Sequence, residues 1–340
     1  MAPKATKPTL LVLRHHGLGD LLTVQPALRG LRKRFPLHKL VVTCPSWLVP
    51  LALHFSTADQ ILSEVAQPDH ACAAVPDPSK HQGIDSVLLG NVLRSVEEVD
   101  TLVSLRTPGP ELVQIVRTFA PRLVVSYRYV GLETTSNYPD LEFSDHILTR
   151  WRRLLSTVGV DVQDKDIYAE LPTKVDSSGF TVVHVGAGSP SRLWPVDRWA
   201  NVIRYLLSTG HRIALTGCDS ELPRVRQVCE VATLPWDVNW STKTDIMRLA
   251  HLVAGARLVL STDTGVSHLA TTFRRPAITL FGPVPPAWWG PPPGNPQHRT
   301  LWTGRTGDNY SELPDPGLLE ISVESVIDAI EELRCEGIWN

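Results

Sequence analysis

The chain has 340 residues, a formal net charge of −2, and is 43% hydrophobic and 20% charged. That length suits about two ordinary domains with sizeable cores, and the balance excludes wholesale disorder and a dedicated nucleic-acid binder, which would be strongly basic. Its longest apolar runs, such as LVVSY and AITLF, are strand-sized and far short of the ~18 residues of a membrane span.

The opening MAPKATKPTLLVLR passes from a polar leader straight into a strand at 10–14, without the apolar stretch of a secretory signal. A helical pattern follows over 20–34, with Leu21, Val24, Leu28 and Leu31 on one face. Between strand and helix stands His15-His16-Gly17-Leu18-Gly19-Asp20. A dinucleotide fingerprint would place a third glycine at position 22, where this chain has Leu22, and the mouth of the loop carries a carboxylate instead. The basic run Arg29, Arg32, Lys33, Arg34 closes the helix, where cations complement its dipole. Further strands are expected at 39–44, 100–105 and 122–127. They are short, continuous and β-branched, as in a parallel sheet covered on both faces. Residues 60–98 show no clear pattern.

Residues 161–179 are polar, end in Ser-Ser-Gly and read as an interdomain connection. Asp164-Lys165-Asp166 within it follows no strand, so a solvated linker is the better reading than a cation site. The alternation then restarts: strands at 181–186, 212–217, 256–262 and 277–282, with helices at 196–208 and 220–231. Pro195 suits the first helical position. Two such series imply an α/β protein of two doubly wound parallel-sheet domains facing each other across a cleft. The proline-rich 283–298 reads as a surface loop, and 322–334 as an amphipathic helix. The cysteines Cys44, Cys72, Cys218, Cys229 and Cys335 are scattered without a Cys-x-x-Cys pair. Reduced thiols in a cytoplasmic protein are expected, rather than disulfides or a zinc site.

Three loops of the second half follow strands and could carry chemistry. Asp263-Thr264-Gly265 opens a helix bearing His268; its N–H groups suit a phosphate, and its plain structural reading is a helix cap over a core histidine. In HVGAGSPSRLWPVDRW, Gly186 and Gly188 admit close backbone approach, Ser189 and Ser191 offer hydroxyls, and Arg192 can fork onto a phosphate. In Thr216-Gly217-Cys218-Asp219-Ser220-Glu221, a carboxylate could receive ribose or sugar hydroxyls, or simply stabilise the helix start. Their shared position, at carboxyl ends of strands in one sheet, is the argument for a site. The adjacent His15 and His16 have no partner at helical spacing, and a metal site there is rejected.

GLGDLL…PALR, HVGAG…RLWPVDRW and STDTGVSHLA…TLFGPVPP…WGPP together resemble glycosyltransferase family 9, the lipopolysaccharide heptosyltransferase family, over most of the chain. The resemblance implies a GT-B fold with Rossmann-like domains. Residues 1–165 would bind the acceptor, residues 176–318 the nucleotide-sugar, and residues 319–340 would form a terminal helix packing back on the first domain.

By that resemblance Asp20 would be the catalytic base of an inverting, metal-independent glycosyl transfer, with ADP-heptose as the expected donor. Donor contacts would come from Gly19, Gly186, Ser189, Ser191, Arg192, Thr216, Gly217, Asp219, Glu221, Asp263, Thr264, Gly265 and His268. Between Asp219 and Glu221 the ribose ligand stays open. His15, His16 and Arg106 are assigned to the acceptor side. No metal and no cofactor beyond the nucleotide-sugar co-substrate is expected, and no nucleic-acid partner; contact with a membrane surface stays open. The family's usual lysine is here Arg192, and its Ser/Thr pair is His15-His16-Gly17. The proline- and tryptophan-rich composition (28 Pro, 10 Trp) departs from the lipopolysaccharide enzymes, so a natural-product or other glycan acceptor is as good an expectation as a lipid A core. A GT-B nucleotide-sugar epimerase and a non-catalytic nucleotide-sugar binding protein are the alternatives.

Overall fold

The computed structural model describes residues 7–14, 17–63, 86–133, 138–170 and 179–338. The chain divides after Ile167 into two compact units, each built on one parallel sheet of five strands.

In the first unit the strands are β1 (Thr9–Leu13), β2 (Lys39–Thr43), β3 (Gln60–Leu62), β4 (Thr101–Ser104) and β5 (Leu123–Val125), in the order β3-β2-β1-β4-β5. Leu11 of the central strand lies opposite Val41 on one side and Leu102 on the other. Leu10, Leu11 and Val12 are wholly buried, which is why β1 reads as a continuous apolar run rather than an alternating one. Leu11 and Leu13 pack with Val92 of α4 (Ser86–Ser95) and with Leu112 and Ile115 of α5 (Pro110–Phe119).

The single helix expected over 20–34 is two: α1 (Leu18–Thr23) and α2 (Gln25–Arg34), meeting at Val24. Pro26 explains the break, since it brings no N–H and its ring crowds the carbonyl four residues earlier. The helix also begins two residues before Asp20, so that residue lies in its first turn rather than in a loop. The basic run has structural partners: Arg32 pairs with Asp59 (2.5 Å), Lys33 with Asp166 (2.9 Å), and Arg29 donates to the Asp166 carbonyl (2.8 Å). Arg152 of α6 (Ile147–Ser156) pairs with Asp164 (2.5 Å). Residues 164–167 are therefore a docked turn, not a solvated linker; residues 171–178 lie outside the described residues.

The second unit carries β6 (Phe180–His184), β7 (Arg212–Thr216), β8 (Leu258–Thr262), β9 (Ala277–Leu280) and β10 (His298–Leu301), in the order β10-β9-β8-β6-β7. Beside the expected α8 (Leu222–Ala232), four elements escaped the sequence reading: α9 (Ile246–Ala254), β10, α12 (Pro316–Glu320) and, inside the proline-rich loop, a one-turn helix, α11 (Pro286–Trp289). Pro195 caps α7 (Val196–Ser208) from outside rather than opening it.

The terminal helix α13 (Val323–Cys335) packs within the second unit. Its stripe Val326, Ala329, Ile330, Leu333 joins the second unit's own core, with Trp194, Trp199 and Leu206. Trp194 donates its indole N–H to the Ile321 carbonyl (3.0 Å), and the Tyr205 hydroxyl bonds the Glu331 carboxylate. The large aromatic surface of Trp194 and α7 offers the stripe the apolar area it must bury. Cys44 and Cys229 are free buried thiols and Cys335 a free exposed one, whereas Cys218 is disulfide-bonded, against the expectation of thiols throughout. Cys72 lies outside the described residues. Among the described residues no helix is long and apolar enough to cross a membrane.

Candidate active site

In an open α/β sheet, ligands gather beyond the carboxyl ends of the strands where the strand order reverses. In the first unit that point lies between β1 and β4, whose connections leave in opposite directions. Arg14 is the first residue past β1, and Arg106 the second past β4. Arg14 is buried; its Nη2 is paired with Oδ1 of Asp20, and its Nη1 donates to the Leu105 carbonyl (2.9 Å). Its backbone N–H donates to Thr43 Oγ1 (2.9 Å), and its guanidinium carbon lies 5.0 Å from the centre of the Trp151 ring.

Asp20 is the third residue of α1, and its Oδ2 accepts from the N–H of the capping residue Gly17 (3.1 Å). Gly17 is extended (φ −105°, ψ −173°), a conformation open to any residue, so it is the helix start and not a strained turn that aims the carboxylate. Gly19 lies within α1, where its carbonyl accepts from Thr23 Oγ1 (2.9 Å). Arg106 is 5% exposed. Burial pushes it down to about 10, opposed by the Glu111 carboxylate; Arg14 adds to the fall and Asp20 opposes it. His15 and His16 lie outside the described residues.

The reversal in the second unit falls between β6 and β8. After β8, Asp263 is buried, and Thr264 is the N-cap of α10 (Gly265–Thr272). That helix has no side-chain cap bond, and Thr264 Oγ1 is buried without a hydrogen-bond partner. Across from β6, Arg192 ends a 3-10 turn over Pro190–Arg192 and donates from Nη1 to the Asp263 carbonyl (2.7 Å). The Asp263 carboxylate stands 3.9 Å from that nitrogen, and Arg192 Nε is buried without a partner. A guanidinium, an uncapped helix start and an orphaned hydroxyl thus converge, and such a group of donors is suited to an anion.

Beside it, Glu221 closes a 3-10 turn over Asp219–Glu221. Its Oε2 accepts the Cys218 N–H (2.8 Å) and lies 3.9 Å from His184 Nε2, while the other ring nitrogen of His184 meets Thr216 Oγ1 (3.1 Å). Burial pushes the His184 imidazole below its ordinary value, and the Glu221 carboxylate opposes that fall. A Cβ at Gly186 would overlap the Glu221 carboxylate as it now lies; at Gly217 a Cβ would come 2.9 Å from Val225.

The remaining sequence-assigned residues divide by burial. Ser191 is wholly buried, its hydroxyl bonded to Ser189 Oγ (2.9 Å) and donated to the Asn309 carbonyl (2.8 Å), so the pair braces the loop from inside. Thr216 is buried at the end of β7. Asp219 is exposed on its turn, which leaves Glu221 as the carboxylate drawn toward Gly186. His268 is buried within α10 rather than presented at its start, and its charge helps burial push His298 down to about 4. Among the described residues no three His, Cys, Asp or Glu side chains gather as metal ligands would. Sequence reasoning overlooked Arg14 and His184; the available signal was a basic or titratable residue at the very end of a buried strand. A cavity of about 520 Å³ between Arg34, His38 and Arg122 opens at the amino ends of β2 and β5, away from Arg14 and Asp20.

Residues 126–310, more than half of the chain, match the model of glycosyltransferase family 9 (heptosyltransferase). Lipopolysaccharide heptosyltransferase 1 of Escherichia coli (strain K12) is 34% identical over 125 residues, covering 35% of this chain and 36% of that protein. This chain thus spans about a third of the length of that relative. Over nearly the full length, the structure of a glycosyl transferase family 9 protein from Veillonella parvula DSM 2008 superposes with a TM-score of 0.77 at 20% identity, covering 99% of this chain and 100% of that one. The structure of the E. coli ADP-heptose lps heptosyltransferase II gives 0.72 at 16%, covering 97% and 100%. With the GT-B architecture of those neighbours and the family model both in place, the chain belongs to glycosyltransferase family 9, the heptosyltransferase family.

Proposed function

We propose that this protein transfers a heptosyl group from ADP-heptose to an acceptor hydroxyl on a glycan or small natural product, with inversion and without a metal ion. Family membership supports the transfer, and the relative named for ADP-heptose supports the donor. The observation that carries the reading is the convergence of Arg192, Thr264 Oγ1 and the start of α10. These donors would hold the diphosphate and stabilise the charge that grows on it as it leaves, the task a divalent cation performs in other enzymes. Glu221 would accept the ribose hydroxyls.

Asp20 would take the proton from the acceptor hydroxyl. The freed oxygen then bonds to the anomeric carbon as the bond from that carbon to the diphosphate oxygen breaks on the opposite face, and ADP departs with the electron pair.

Calorimetric titration with ADP-heptose, ADP, GDP, UDP and TDP, with chelator present, tests the donor site. Selective binding of the adenine nucleotides is expected, weakened ~10- to 100-fold by Arg192→Ala, in line with the loss of charge-assisted hydrogen bonds. Preference for another base would retire ADP-heptose, and binding of none would overturn the site. Release of an altered nucleotide-sugar without acceptor would point to an epimerase.

A further inference from the structure

Arg14 makes more contacts than an ion pair needs. Its side chain is 8% exposed while that of Asp20 is 22% exposed, so a sunken guanidinium holds a carboxylate at the rim. Four segments fix it: its N–H on Thr43 at the end of β2, Nη1 on the Leu105 carbonyl past β4, the guanidinium over Trp151 of α6, and Nη2 on Asp20 of α1. A surface ion pair between two mobile side chains fixes little, because each must lose rotamer freedom to form it. Here the cationic partner has already lost that freedom to a carbonyl and a ring. The bond to Oδ1 therefore selects the rotamer of Asp20, and the Gly17 N–H on Oδ2 sets the plane of its carboxylate.

We infer that Arg14 is a positioning residue, acting through Asp20 to aim its carboxylate at the acceptor hydroxyl. The inference rests on Asp20 being the general base of the proposed transfer. Arg106 is coupled by charge to both Arg14 and Asp20. A lysine at position 14 would keep the charge but has no planar fork with which to reach the Leu105 carbonyl and the carboxylate together.

The test is a double-mutant cycle of Arg14→Gln and Asp20→Asn, with ADP release from ADP-heptose, to water and to a panel of hydroxylated acceptors, as the readout. Arg14→Gln should lower kcat ~10- to 100-fold while leaving the KM for ADP-heptose unchanged, as a misaimed base would. Arg14→Lys should recover part of the loss. On the Asp20→Asn background, Arg14→Gln should cost nothing further. An equal loss on both backgrounds, or an unchanged kcat in Arg14→Gln, overturns the inference. If Asp20→Asn itself leaves kcat intact, the base assignment fails instead. A crystal structure of Arg14→Gln, or of Arg14→Lys should the first variant not fold, decides independently of turnover. A displaced Asp20 carboxylate supports the inference and an unmoved one refutes it.

Discussion

In the first unit charge meets charge, whereas in the second a cation is left facing the backbone. Arg14 engages the Asp20 carboxylate directly, and a second carboxylate, Glu111, offsets Arg106. Arg192 instead donates to the Asp263 carbonyl, and the nearest Asp263 carboxylate oxygen remains 3.9 Å away. Thr264 Oγ1 and Arg192 Nε are buried without partners, a deficit that an incoming anion would remove. The same topology, a reversal of strand order in a five-stranded parallel sheet, has thus been furnished in two ways. One reversal holds its own negative charge in a fixed direction; at the other, the donors would be completed by a negative charge from outside.

The sharpest way to break that contrast is Asp20→Asn. The amide keeps the shape and can still accept from Gly17, but it cannot take a proton. Steady-state ADP release should fall ~10²- to 10⁴-fold, the usual weight of a general base, while calorimetric affinity for ADP stays unchanged. A parallel loss of ADP affinity would mean that the two constellations do not divide the work as proposed.

Acid should separate the units next. In the second, burial pushes His184 and His211 below the ordinary imidazole value, and His298 down to about 4. A depressed histidine is neutral in the fold, so the unfolded chain binds the extra proton first. Its contribution is present above about 6.5 and is lost as pH falls toward the folded value, ~3 kcal/mol for His298 alone. In the first unit the same sign applies at lower pH: Asp100 is held well below the usual carboxylate range by the bond from Arg122, with His38 and Thr101 assisting against burial. Its contribution persists until pH drops below about 3.8. Hydrogen exchange followed from pH 7 to pH 4 should therefore show the second sheet losing protection before the first, and His298→Leu should flatten the loss. Simultaneous loss in both units would refute the assignment.

How much of this was legible in the sequence follows from what each residue's role depends on. Strand runs such as LLVLR and KLVVT carry their burial in their composition, and they fold where expected. β3 and β10 are short, and β10 contains His298 and Arg299, so neither shows an apolar run. The break at Pro26 was readable from proline chemistry, yet the apolar stripe Leu21, Val24, Leu28, Leu31 runs across it and masked it. Motif order pointed to Asp20, Arg192, Asp263 and Thr264, which lie where strand ends meet. It could not distinguish a partnered hydroxyl such as that of Ser191 from an unpartnered one such as that of Thr264, because the partner of Ser191 is Asn309, more than a hundred residues away. Arg14 was overlooked for the same reason: its anchor, the Leu105 carbonyl, is 91 residues distant.

The finest division concerns Glu221 and the glycine it leans on. A Cβ at Gly186 would overlap the Glu221 carboxylate, but that carboxylate is the far end of a flexible side chain, not a wall of backbone. Gly186→Ala should therefore fold, with Glu221 swinging away and surrendering the Cys218 N–H it now accepts. If Glu221 receives the ribose, calorimetric affinity for ADP should drop about tenfold, the order expected for a lost hydrogen bond to a charged group. Glu221→Gln should weaken ADP by a similar factor, and the double variant should be no worse than either, since both remove the same contact. Affinity for inorganic pyrophosphate, which has no ribose, should be untouched in all three. A pyrophosphate loss equal to the ADP loss would instead show that Gly186 serves the phosphate end, through the close backbone approach that its missing side chain allows.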